Sequence, residues 1–176
     1  VIALKEDFSH LPEFVEITPR SEKSVFTPGI LTSERFAYAD GRIVWSEREY
    51  DIRWDHRSYS VLKIYDLQEK TERQLTEKTR LFAPDLNETG DRVVCVEVSE
   101  ENQYALLILD AKEGWIQDKF YSPHNHFLQN PVWSTDGRMI YVVGLTEKGK
   151  TIYQLNPQTG KWKELIDPVY SDIQNI

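Results

Sequence analysis

A single cysteine, Cys95, stands among the 176 residues, so no internal disulfide can form. That fits a reducing compartment without excluding export. Cys95 lies inside the apolar run VVCVEV and reads as a buried core thiol rather than a nucleophile. No stretch approaches the ~18 consecutive apolar residues of a membrane helix, which excludes insertion by that route. Runs of Lys and Arg are lacking too. With a net charge of −8, the surface repels phosphate backbones, which excludes a general nucleic-acid binder. The common catalytic signatures are missing: there is no G-x-S-x-G elbow, no H-E-x-x-H helix and no glycine-rich phosphate loop. No catalytic residue and no cofactor is therefore expected. The chain opens VIALKEDF, without Met or a signal peptide, and is read as a segment of a longer polypeptide. The missing targeting signal accordingly says nothing about compartment.

What the chain does have is rings: five Trp, nine Tyr and seven Phe. Large aromatics with β-branched neighbours favour sheets. The apolar runs IYVV, VVCV and ALLIL do not alternate with polar residues. Strands that bury only one face would alternate, so these strands are expected to be buried on both.

Two repeating tracks run along the sequence. In the first, Pro131-Val-Trp-Ser-Thr-Asp-Gly137 matches Pro84-Asp-Leu-Asn-Glu-Thr-Gly90, and each leads into an apolar run. A degenerate copy without the proline ends at Asp40-Gly41, a two-residue hairpin signal. The turn residues Gly41, Gly90, Asp136 and Gly137 are read as structural, since Gly supplies positive φ and Asp bonds nearby amides. In the second track, Asp66, Asp110 and Asn156 each end an apolar strand and open a polar turn. Both tracks recur at roughly 45 residues, the size of a four-stranded propeller blade.

The copy at 131–166 resembles the TolB-type, WD-like β-propeller repeat. That repeat pairs a P-x-W-S-x-D-G-x-x-I element with a later strand, an Asp or Asn, and a Thr-Gly turn. The copies at 84–120 and 36–76 keep progressively less of it. The fold expected is all-β, an incomplete propeller of about three four-stranded antiparallel blades. The expected units are an N-terminal segment or partial preceding blade over 1–30, blades over 31–79, 80–126 and 127–170, and the start of a further blade at 171–176. The outer faces of such an open arc are expected to be apolar and unmatched, which invites self-association.

Two stretches stand out as candidate sites. His124 and His126, with Gln129 close by, are read as an extended segment whose histidines point the same way and could share a metal. Oligogalacturonate lyases resemble this repeat class and use histidines and a glutamine around a metal. The alternative is a pair of loop histidines. The segment WSEREYDIRWDHRSYS (45–60) is read as an insertion between strands. Trp45, Arg48, Arg53, Trp54 and Arg57 are its candidate recognition residues, with mutual bracing of a long loop as the alternative.

Three functions follow. The first is a non-catalytic binding or scaffold module whose partner is a protein, or the remaining blades of a parent chain. The resemblance implies a bacterial, periplasmic or envelope setting. The second is an accessory propeller that gates substrate for a peptidase or hydrolase whose catalytic domain lies elsewhere. The third is a metal-dependent, polysaccharide lyase-like propeller.

Overall fold

The computed structural model describes residues 1–54, 56–170 and 173. Its strands form four antiparallel sheets in chain order. The first holds β1 (Ile2–Lys5), β2 (Glu13–Thr18) and β3 (Ser21–Phe26). The second holds β4 (Leu31–Ala39), β5 (Arg42–Tyr50), β6 (Ser58–Asp66) and β7 (Thr71–Gln74). The third holds β8 (Leu81–Leu86), β9 (Arg92–Val98), β10 (Tyr104–Asp110) and β11 (Ile116–Tyr121). The fourth holds β12 (Phe127–Trp133), β13 (Ile140–Thr146), β14 (Gly149–Asn156) and β15 (Lys161–Glu164). A 3-10 turn at Pro123–Asn125 is the only helical element among the described residues.

The apolar runs feed two cores at once. Along β9, Val93 and Cys95 enter the cluster between the second and third sheets. Val94 and Val96 enter the cluster between the third and fourth. β10 does the same, with Leu107 and Leu109 on one side and Leu106 and Ile108 on the other. A third cluster joins the first and second sheets around Phe14, Ile43, Trp45 and Tyr65. Sheets stacked face to face, the inner two buried on both sides, are the blades of a propeller. Cys95 is fully buried in this stack, and desolvation pushes its thiol far above the ordinary range.

The repeats are repeated hydrogen bonds. Asn87 and Ser134 each place a side-chain oxygen on the amide five residues on, Arg92 at 2.9 Å and Met139 at 2.9 Å. The enclosed turn closes through the Gly90 and Gly137 amides, which donate to the carbonyls of Asn87 and Ser134. The second track is a set of Asx turns. Asp66 accepts from the amides of Gln68 and Glu69, Asp110 from Lys112 and Glu113, and Asn156 from Gln158 and Thr159.

The proline of the first track lies inside a strand, at a β-bulge. Registers slip between Phe82 and Asp85 and between Gln129 and Val132. Ala83 and Asn130, each just before the proline, sit at φ 49° and 53°. β8 and β12 are edge strands, where a residue without an N–H is tolerated, and a bulge turns the strand locally.

Residues 1–30 contribute a three-stranded sheet packed on the second. The outer face of that sheet is not uniformly apolar, because a Lys5–Glu22 ion pair lies on it beside Val15. The expected blade start at 171–176 lies outside the described residues except for Ile173.

Candidate functional site

One rim of the stack gathers the hairpin connections and the links between sheets. Loop 51–57 approaches 99–103 through Arg57 and Glu100, 3.2 Å apart. The 75–80 link meets both neighbouring sheets: the Ser60 amide donates to Thr79 and the Val98 amide to Arg80. Asn125, in the 122–126 link, receives the Tyr104 amide and donates to Asn102. The hairpin connections on this rim run over 6–12, 51–57, 99–103 and 147–148, so those of the first two sheets are the longest.

Loop 51–57 is internally braced. Asp51 receives the Arg53 amide at 2.8 Å and the Tyr59 hydroxyl at 3.0 Å. Those two bonds hold its carboxyl below the usual carboxylate range. Burial, and then the bond to Asp51, raises the Tyr59 phenol. The Asp51 amide donates to Arg57 and the Arg57 amide to Trp54. The Arg57 guanidinium stands 5.3 Å over the Tyr59 ring. Arg57 and Asp51 thus brace the loop. Ile52, Arg53 and Trp54 project from it: Ile52 is fully exposed and Trp54 is 66% exposed. Beside them opens a recess of about 850 Å³, lined among others by Tyr50, Arg53, Trp54, Tyr59 and Lys78.

The structure therefore divides the residues that the sequence grouped. Trp45 is not part of the exposed set. It is 0% exposed, because β5 runs unbroken to Tyr50 and buries this ring against Phe14 and Phe26. The insertion shrinks to the loop itself. Arg48 lies exposed on β5, paired with Ser60 rather than within the loop.

Trp45 belongs to a buried polar network that sequence reasoning missed. Its indole Nε1 donates to Glu47 at 2.7 Å, and the Gly29 amide donates to the same carboxylate at 2.8 Å. Lys63 Nζ lies 2.8 Å from Glu47 and 2.9 Å from Glu72. Burial disfavours the Lys63 charge, but the bonds to the two glutamates outweigh it and raise its pKa. The signal was present as an acid two residues after an aromatic on one strand face. Asp85 was also missed. Its carboxylate receives the Trp133 amide at 2.8 Å across the third and fourth sheets, and burial lifts its pKa to about 6.

The histidine pair is arranged differently from the extended segment expected. His124 sits in the 3-10 turn at φ 52°, so the two side chains do not share the direction that strand spacing implies. Their rings are 5.5 Å apart and tilted by 46°. His126 Nδ1 is engaged with the Tyr153 hydroxyl at 2.8 Å. Both histidines edge a recess of about 720 Å³ that Gln129, on β12 opposite Val143, does not line. Among the described residues, no group of three His, Cys, Asp or Glu side chains is placed to hold a metal.

No family model matches the chain, and no curated protein sequence matches it. Solved structures do. A protein assigned as TolB from Agrobacterium tumefaciens superposes with TM-score 0.72 at 10% identity, over 94% of this chain and 60% of that one. TolB from Acinetobacter baumannii gives TM-score 0.69 at 11% identity, over 90% of this chain and 39% of that one. The fold is that of a TolB-type β-propeller. An oligogalacturonate lyase in complex with manganese shares the propeller fold, with TM-score 0.63 at 13% identity, over 92% of this chain and 49% of that one. The chain thus spans less than two thirds of these propeller proteins. At such identities the likeness is one of fold, and the same TolB-type arrangement carries different roles.

Proposed function

We propose that this chain is a non-catalytic recognition module that binds a protein partner through the rim carrying loop 51–57. The observation that carries the reading is the exposed Ile52-Arg53-Trp54 tip on a loop that Asp51, Arg57 and Tyr59 hold in shape. An ordered loop loses little entropy on binding, and Trp and Arg are the residues that most often anchor interfaces. The neighbouring recess, with Tyr50 and Lys78 on its walls, offers a place for an apolar partner side chain flanked by charge. The four sheets, over 1–30, 31–79, 80–126 and 127–170, act in this reading as a rigid base of successive blades.

A photo-reactive phenylalanine analogue introduced at Trp54 tests the proposal. It is expected to cross-link one protein partner in the source cell. The same group at Thr71, which is also exposed but lies where β6 turns into β7, is expected to cross-link none. Equal labelling from the two positions overturns the assignment.

A further inference from the structure

The step Asp-Gly occurs twice in this chain, at Asp40-Gly41 and at Asp136-Gly137. A glycine after aspartate leaves one reaction least hindered, the attack of the following amide nitrogen on the aspartyl carboxyl, because no Cβ shields that nitrogen. Both aspartates are exposed, so access to water does not separate the two sites. Hydrogen bonding does.

At the second site the reacting groups are occupied. Asp136 Oδ1 accepts the Ser134 hydroxyl at 2.6 Å and the Arg138 amide at 3.1 Å. Those bonds hold its carboxyl below the usual carboxylate range, and an ionised carboxylate is the poorer electrophile. The Gly137 amide, which would be the nucleophile, donates to the Ser134 carbonyl at 2.8 Å. At the first site neither group is held. Among the described residues, nothing bonds the Asp40 carboxylate and the Gly41 amide donates to no acceptor. The space around Gly41 is open, with no heavy atom within 4 Å of the place a Cβ would take. Asp40 itself sits at φ 44°, where any side chain costs energy. Rotating out of the turn toward the carboxyl relieves that cost.

We propose that Asp40 is a site of spontaneous isomerisation, and that its counterpart Asp136 is protected from it. The Gly41 nitrogen attacks Cγ of the protonated Asp40 carboxyl and loses its proton, and one carboxyl oxygen leaves as water, closing a succinimide ring. Water then opens the ring at either carbonyl and gives back aspartate or its β-linked isomer, isoaspartate. The reaction needs no other reagent.

The turn at Asp40 is also a contact between sheets. Arg42, just after it, donates from Nη1 to the Gly90 carbonyl at 2.8 Å, and its Nε lies 3.5 Å from Asp66. A Cβ at Gly90 would meet the Ala39 carbonyl oxygen and Asp40 Cβ, each at 3.1 Å. The tip of the second sheet therefore rests on a turn of the third. Isoaspartate adds one backbone carbon to a two-residue turn whose twist matches its strands only at the native length. Isomerisation at Asp40 thus loosens the second sheet from the third.

The test incubates the purified protein at body temperature and neutral pH for weeks and follows its tryptic peptides by reversed-phase chromatography and electron-transfer fragmentation. Residues 36–42 and 120–138 each form one peptide, so the two sites are read separately. Peptide 36–42 is expected to split into two species of equal mass, the newer one carrying isoaspartate. Peptide 120–138 is expected to convert about tenfold more slowly, the factor that one or two net hydrogen bonds supply. In urea the two sites are expected to convert at similar rates, since the fold no longer distinguishes them. The melting temperature of the native protein is expected to fall as isoaspartate accumulates. Asp40→Glu, whose longer side chain closes the ring far less readily, is expected to keep its own melt unchanged through the same incubation. Equal conversion of the two sites in the folded protein overturns the proposal. So does faster conversion at Asp136, or an inert Asp40 where the urea sample converts. A melt that stays constant while isoaspartate accumulates overturns the loosening. The rates are read on the unaltered protein and stand even where Asp40→Glu fails to fold.

Discussion

Asp85 makes the stability of this protein depend on pH in a way that can be isolated by one substitution. Its carboxylate is held between the third and fourth sheets by the Trp133 amide, and burial raises its pKa to about 6. An unfolded chain gives an aspartate a pKa of about 3.9. The folded state therefore binds the proton more tightly, and stability falls as pH rises from about 4 through about 6. The gap between those two pKa values corresponds to about 3 kcal/mol. For a chain of this size that is roughly 6–12 °C in melting temperature. Asp85→Asn keeps an acceptor for the Trp133 amide and removes the titration. Thermal melts of both proteins between pH 3.5 and 8 are the assay. The stability of the Asn variant minus that of wild type is expected to rise by about 3 kcal/mol across the window and then level off. Taking the difference cancels the lowered carboxylates, such as Asp66, Asp91 and Asp136, which act oppositely and at lower pH. A flat difference from pH 4 to 7 refutes the argument that Asp85 is desolvated in the folded state.

Other perturbations test the fold and the rim. Gly137→Ala is expected to cost ~1–2 kcal/mol in urea denaturation, because φ is 66° and an added Cβ meets nothing nearer than Arg92 at 4.0 Å. Gly114→Ala, at φ 75°, is expected to cost more, since its Cβ would stand 2.1 Å from the Leu75 carbonyl oxygen. Equal losses at the two positions refute the close approach of 114 to the second sheet. Glu47→Ala strands the Trp45 indole and takes one carboxylate from Lys63, and is expected to cost ~3–5 kcal/mol by the same measurement. Trp133→Ala is expected to cost a similar ~3–5 kcal/mol, because the ring is buried between the third and fourth sheets. Trp54→Ala is expected to leave the melt unchanged and to weaken partner capture by at least tenfold, as loss of ~1.4 kcal/mol or more at an anchor does.

The repeat was legible because its chemistry is local. Asn87, Ser134, Asp66, Asp110 and Asn156 each bond amides within five residues, so their spacing in the sequence is their spacing in space. Apolar runs without alternation likewise announced two buried faces, since side chains leave a strand on opposite sides whatever surrounds it. The candidate sites were less legible. Trp45 and Trp54 are nine residues apart in one aromatic, arginine-rich stretch, yet one is core and the other surface. That division depends on where β5 ends, which the pairing with β6 decides. The bulges before Pro84 and Pro131, the closeness of Glu47 to Lys63 and the burial of Asp85 depend on neighbouring strands or sheets in the same way. Turn chemistry and doubly buried strands are properties of short segments, and the sequence determined them alone. Burial and charge pairing are properties of what packs alongside, and only the tertiary structure decided those.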